Sequence, residues 1–520
     1  MFCSSTKSGL ALVLTAMVLC TQAIAADGDW DPSWIAHPSD QKGIPGLFED
    51  TWGLGGTGIY SNSMTSYATA VQNDGKVVVV GFGWNTSANG DQNACVVRRY
   101  NVDGSVDASF GNGGADVLNW SNGNQIVNCY FKAVALQSDG KIVAAGQIVY
   151  VGGQAEGIVQ RFNSDGSWDG SFNSNSYAKL GVGTDANGVK LAPDGDVLVG
   201  GGYTAANFND LDFGLFVRGP DGSDLGHLSA AFDHGGAKND VANALVLQSY
   251  TIFQLPTSHH YDVVYLVGAI DNAPYASGQW HRSCGVVAFT RSDGGAFEFD
   301  SSFNSGGTLA VDFPVGPFDT DTLCRAAVGR PQTLPFFFNS GVVVGGERYF
   351  TPNGAPLASA SYYALAEIDA SGAVTRHDDF AFFYDLNEEG AYNSINGFAR
   401  DHTGNLVVAG YAGIGAGNSP ANHQPSDGVI RRFNADFTVD GSFGDFGTVN
   451  GSLDSSGVTG ILANQREWFG SLDYDPVDGR IVAVGERTPW IQLAPNLYSW
   501  FLGVVRDGTG DRIFADGFDG

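Results

Sequence analysis

The sequence predicts an all-β fold assembled from seven copies of one four-stranded unit. Three observations carry this. A turn followed by a β-branched run ending in glycine recurs seven times, at intervals of about 67 residues. A second turn follows each run at a nearly fixed distance. Glycine supplies 73 of the 520 residues, while only 16% are charged, a composition of tight turns and buried strands rather than of solvated helices.

The first phrase is clearest at Asp74 to Gly81, Asp139 to Gly146 and Asp194 to Gly201. It returns at Thr403 to Gly410 and Asp478 to Gly485, with two worn copies ending at Gly268 and Gly346. The second turn centres on Asp103-Gly104, Asp165-Gly166, Asp221-Gly222, Asp293-Gly294, Ser371-Gly372, Asp436-Phe437 and Asp507-Gly508. Asp-Gly between β-branched runs is a strong hairpin signal, because glycine takes positive φ at little cost.

Each unit therefore reads as strands a to d. Strand a is the apolar run before the first turn (Ala133 to Leu136), and strand b the run after it. Strand c is Ile158 to Phe162 or its equivalent. Strand d follows the second turn, as in Trp168 to Phe172. Strand b shows no polar alternation, so both its faces should be covered by neighbouring sheets. Small sheets covered on both faces are what a β-propeller provides.

The chain ends fit ring closure. Unit seven has strand a, strand b and strand c (Trp500 to Val505), then only a short tail. The missing phrase stands at the N-terminus as Asp31-Pro32-Ser33-Trp34, to be compared with Asp107-Ala108-Ser109-Phe110. Residues 35–52 read as an insertion within it. The expectation is a single seven-bladed β-propeller of four-stranded blades, closed by an N-terminal strand. Eight blades is the alternative, if residues 27–60 form more of a blade. The divisions are a signal peptide at 1–25, a closing segment at 26–60, the propeller at 61–515 and a tail at 516–520.

The combined wording resembles a known family. Leu-Gln-x-Asp-Gly-Lys precedes strand b, Arg-Tyr/Phe-Asn-x-Asp-Gly-Ser spans the c–d turn, and Asp-x-Ser-Phe-Gly-x-Gly-Gly comes after it. These are similar to the delta-60 repeat of exported bacterial proteins. The resemblance implies a β-propeller and an exported location, and carries no common activity or catalytic residue. The stretch Arg512 to Phe518 is similar to a tail of some exported Gram-negative proteins.

The first residues agree with export. Lys7 begins a positive n-region, Leu10 to Cys20 is an apolar core, and Ala23-Ile24-Ala25 offers a cleavage site. A secreted, periplasmic or cell-surface protein of a Gram-negative bacterium is expected, with no transmembrane segment in the mature chain. Four cysteines then remain in a disulfide-permissive compartment. Cys95 is expected to pair with Cys129 and Cys284 with Cys324, because each pair joins the start of a strand c to the approach of the next strand a. Acids outnumber bases by 55 to 26, for a formal charge of -29. That balance excludes nucleic acid, which needs a basic stripe.

Catalytic wording is absent: there is no G-x-S-x-G elbow, H-E-x-x-H or Walker loop. His259-His260 are adjacent, so on a strand they would point to opposite faces, and they read as exposed loop histidines. His281 with Cys284 lacks a third orienting residue. Asp103, Asp107, Asp165 and Asp169 place oxygens at alternate positions, as a calcium loop begins. The Gly at position six and the Glu at twelve are missing, so turn formation outweighs calcium. No other cofactor is expected. The b–c connections vary most in length, and the face they share would carry Trp280, His281, Arg348, Tyr349, Phe350 and His423 as ligand-binding residues. The expected function is an exported, monomeric binding or surface-interaction module for a glycan, peptide or protein. The competing readings are a propeller hydrolase or lyase with its site at the channel mouth on that face, and a structural envelope component.

Overall fold

The computed structural model describes residues 31, 33–34, 47–50, 60–87, 90–118, 126–204, 210–232, 239–254, 257–272, 281–313, 320–331, 341–350, 360–376, 391–414, 426–444, 448–451, 465–489 and 499–507. Among them the regular structure is β-strand, apart from one three-residue 3-10 turn at Phe303–Ser305. The expected signal peptide and the tail from 516 lie outside the described residues.

The first unit shows the pattern. Tyr60–Val71 pairs antiparallel with Val77–Ser87, which pairs with Gly90–Tyr100, which pairs with Ala115–Leu118. The same up-and-down order holds in Ile126–Leu136, Ile142–Tyr150, Ala155–Phe162 and Tyr177–Val182. It holds again in Gly188–Leu191, Val197–Tyr203, Asp212–Arg218 and Asp224–Ala230. Short loops and hydrophobic runs make this meander the cheapest way to satisfy the backbone. The apolar runs of the b strands are buried: Val77 to Val80 and Ile142 to Ala145 are inaccessible, as the lack of alternation requires.

Strand a of each unit packs against strand a of the next. Apolar clusters fill the spaces between units rather than the interior of any one. One contains Ala133, Val143 and Val159 from the second unit with Val189, Val197 and Phe216 from the third. Another joins Val77, Val79 and Val96 to Val482, Val484, Leu502 and Val504, so the first and last units meet.

Two expectations need correction. Strand d is not Trp168 to Phe172. Trp168 makes only an isolated bridge to Phe162, residues 169–172 turn, and the pairing strand is Tyr177–Val182. Nor is 35–52 only an insertion, because Leu47–Asp50 within it pairs antiparallel with Ser499–Arg506. In both places the Asp-x-Ser-aromatic phrase is a buried corner preceding the strand. The Asp carboxylate accepts the Ser amide and hydroxyl two residues on, a local bond that competes with sheet pairing.

That corner recurs in one form. Asp107, Asp169, Asp300, Asp440 and Asp31 each accept from Ser109, Ser171, Ser302, Ser442 and Ser33, with hydroxyl distances of 2.5–2.7 Å. The strand-c arginines Arg99, Arg161 and Arg432 donate Nε to Asp107, Asp169 and Asp440 at 2.7–2.8 Å. Their guanidinium groups lie 4.5–4.7 Å from the ring centres of Phe110, Phe172 and Phe443, within cation–π range. Arg506 donates to Asp31 at 2.9–3.0 Å, and Trp34 is fully buried where those phenylalanines lie.

Both expected disulfides are present. Cys95–Cys129 ties the first unit to the second, and Cys284–Cys324 the fourth to the fifth. Each pair links a strand c to the following strand a, and all four cysteines are buried.

Candidate functional site

In six of the seven units, strand a carries an irregularity at the same level. Its pairing with strand b slips at Ser66/Ala68, Phe131/Ala133, Ala242/Ala244, Cys324/Ala326, Ile395/Gly397 and Phe469/Ser471. A bulge needs an extra residue and a partner that yields space. The partner is the glycine that ends each β-branched run. A Cβ added at Gly81, Gly146, Gly201, Gly268, Gly346, Gly410 or Gly485 would lie 1.7–2.0 Å from the strand-a carbonyl oxygen opposite. The recurring glycine is thus a steric requirement of the bulge.

The extra residues are Tyr67, Lys132, Asn243, Arg325, Asn396 and Gly470, with Asn187 at the matching place in the third unit. Several stitch neighbouring units. Asn187, Asn243 and Asn396 donate Nδ2 to the carbonyls of Ala242, Cys324 and Phe469 at 2.8–2.9 Å. Lys132 binds both carboxylate oxygens of Asp185 at 2.8 Å and Oδ1 of Asn187 at 3.0 Å. Arg325 pairs with the fully buried Glu347, which also accepts the Tyr411 hydroxyl at 3.1 Å. Ser66 donates to the Gly485 carbonyl, and Thr65 to Glu486 at 2.9 Å, across the meeting of first and last units.

The richest convergence gathers around strand a of units one and two and the residues leading into strand a of unit three. Phe82 joins it from strand b and Asn93 from strand c of unit one. Tyr67 and Phe82 have ring centres 5.8 Å apart, and Phe82 meets Tyr130 edge-on at 5.0 Å. Asn93 donates to the Tyr130 hydroxyl at 2.9 Å. Burial, reinforced by the charges of Glu486 and Asp185 and by Tyr130, pushes the Tyr67 phenol up to about 12. It therefore keeps its proton and remains a donor. These side chains, with Lys132, Asp185 and Asn187, are half-buried. Deeper along the inner strands Asp473 accepts the Val71 amide at 2.8 Å. Burial raises its carboxyl against the hydrogen bonds from the Val71 and Tyr474 amides and the charge of Lys190.

Of the residues expected to bind ligand, four lie on described strands. Arg348 lies within strand Gly341–Phe350, buried, with its guanidinium 5.7 Å from the Tyr362 ring centre. Tyr349 and Phe350 continue that strand, and His281 begins strand His281–Ser292. Trp280 and His423 lie outside the described residues. Asp103 and Asp165 accept from Ser105 and Ser167, while Asp107 and Asp169 are held by the corner arginines and by Lys76 and Lys141. Among the described residues no group of three His, Cys, Asp or Glu side chains has metal-holding geometry.

Sequence reasoning passed over Tyr67, Tyr130, Lys132, Asp185, Asn187, Arg325, Glu347 and Glu486. A signal existed: in units one, two, three and six the bulge residue precedes the terminal glycine by the same interval.

The chain is an all-β protein of the β-propeller class. The family model described as a domain of unknown function (DUF5122) β-propeller matches residues 72–110 and 137–172. Both matched stretches run from the turn before strand b to the buried corner phenylalanine. No curated protein matches the sequence. Among solved structures, the chain is similar to the β-propeller domain of the trilobed protease from Pyrococcus furiosus, at 10% identity and a TM-score of 0.36, over 88% of this chain and 99% of that one. It is similar to Drosophila Semaphorin 1a, extracellular domains 1-2, at 10% identity and 0.36, over 86% and 87%. It is also similar to the GH93 α-L-arabinofuranosidase of Fusarium graminearum, at 9% identity and 0.35, over 74% and 93%.

Proposed function

We propose that this chain is an exported, seven-bladed propeller closed by its N-terminal segment, and that it acts as a binding module through its inner ring on the b–c side. The closure rests on the Asp31 amide donating to the Val504 carbonyl at 2.9 Å, the Arg506–Asp31 pair, the buried Trp34 and the pairing of Leu47–Asp50 with Ser499–Arg506. Two disulfides and the A-x-A-ended leader support export. One observation carries the binding reading: half-buried tyrosines, carboxamides and a Lys–Asp pair gather around the strands a of units one to three. Polar groups converging on a fixed scaffold are what a binding site requires.

The test is an array of immobilised glycans, peptides and proteins probed with the tagged full-length chain and with Tyr130→Ala. Binding that is lost in the variant, with an unchanged melt, is the expected result. Binding indifferent to Tyr130 would move the site off the inner ring. A bound compound released chemically altered would favour the enzyme reading, and an array with no binding at all would favour the structural one.

A further inference from the structure

We infer that the inner-ring site of units one to three takes a neutral, polyhydroxylated ligand, a glycan end or short oligosaccharide. The inference rests on the binding reading above and narrows it by charge and shape.

Charge comes first. The ammonium of Lys132 has three protons, and three acceptors hold it: the two oxygens of Asp185 at 2.8 Å each and Asn187 Oδ1 at 3.0 Å. No donor is left on it for a phosphate, sulfate or carboxylate. Two carboxylates, Asp185 and Glu486, act on Tyr67 beside that single neutralised cation, so an approaching anion meets repulsion. A cation fares little better, because at Asp185 it must displace Lys132 and at Glu486 it must compete with the Thr65 hydroxyl, and an ion brought in unpaired loses its hydration. Neutral hydroxyls meet neither obstacle.

Shape and hydrogen bonding agree. Tyr67, Phe82 and Tyr130 form a contiguous aromatic group with rings inclined by 33° and 80°, and none of the three is fully covered. Sugar C–H faces pack on such rings, while their hydroxyls seek fixed donors and acceptors. The site supplies both. Tyr67 is a protonated phenol. Asn93 spends Nδ2 on Tyr130, and its Oδ1 is a buried acceptor with no partner among the described residues. A desolvated acceptor left unmet costs stability, which a ligand hydroxyl recovers.

The experiment titrates the full-length chain calorimetrically with three sets of probes, at low and high salt. These are short neutral gluco-, manno-, xylo- and galacto-oligosaccharides, oligosaccharides carrying uronic acids, and short lysine peptides. At least one neutral series should bind, with an affinity that changes by less than about twofold with salt. Tyr67→Ala should weaken it by roughly tenfold, and Tyr67→Phe, which keeps the ring, by less. Lys132→Met should admit lysine peptides that the natural chain rejects, by leaving Asp185 unpaired. Equal melting temperatures for variants and parent establish that they fold. Salt-sensitive binding of lysine peptides or of uronic acids to the natural chain, lost in Tyr67→Ala, would overturn the neutral ligand and leave the binding reading intact. Neutral binding unchanged in both Tyr67 variants would overturn the site. If no probe binds while the array detects another ligand, the inference falls alone; if the array is blank too, both fall.

Discussion

Gly146 shows how much a single residue decides. A methyl there would lie 1.9 Å from the Tyr130 carbonyl oxygen, inside a sheet that cannot move aside. Gly146→Ala should cost about 1–3 kcal/mol in a urea melt, the usual range for overpacking. Gly170→Ala, where nothing lies within 4 Å, should stay within about 0.5 kcal/mol of the parent. Acids at two kinds of position predict opposite pH responses. Burial works to raise the corner carboxylate Asp169, but hydrogen bonds from Ser171 and Lys141 and the charge of Arg161 hold it well below the usual range. Its stabilisation is present above the unfolded value of about 4 and is lost as pH falls below that. Burial, with Asp212 and Asp271 nearby, instead pushes Asp240 up to about 6 against amide bonds from Phe232 and Asp271. The folded chain then binds a proton that the unfolded chain does not, so this contribution rises as pH falls from 7 toward about 4. Melting temperatures across that range should show the gain in the parent and not in Asp240→Asn. A gain of the same size in the variant would refute the assignment.

At the scale of elements, the Asp-x-Ser-aromatic corner explains why the repeat needs Arg on strand c. The guanidinium meets the Asp charge and covers the Phe ring at once, which lysine could not do with a point charge. In the proposed closure, unit seven receives its corner from the N-terminal segment. Trp34→Ala should therefore destabilise by about 3–5 kcal/mol, as for a core aromatic, despite its place among the first residues. A thermal melt within one degree of the parent would contradict the closing role. The two disulfides act on other seams, between units one and two and between units four and five. Replacing Cys95 and Cys129 together by Ser should cost about 3–4 kcal/mol on a chain-entropy estimate, measurable by denaturant unfolding in oxidising buffer.

For the whole molecule, apolar clusters between units make each sheet depend on both neighbours. The proposed ring should melt as one transition, whereas an open array unravels from its ends. Deleting residues 26–60 opens the first-to-last seam. The deletion should lower the melting temperature and broaden the calorimetric transition, while an unchanged single peak would show that the seam contributes nothing.

The sequence by itself determined the repeat, the strand order and both cysteine pairings. Those features are local: turns, β-branched runs and Asp-x-Ser corners are written in neighbouring residues, and copying a phrase seven times makes it legible. It could not show that the terminal glycine of each run serves a bulge, because the atom it must avoid belongs to another strand. Arg348, counted in the sequence among loop residues, is buried because strand b continues past its glycine. The inner-ring group was equally hidden. Tyr67, Tyr130, Lys132 and Asp185 come from three units, and only the packing of successive inner strands brings them together. Spacing records the order of residues along the chain, whereas a site depends on contacts made across it.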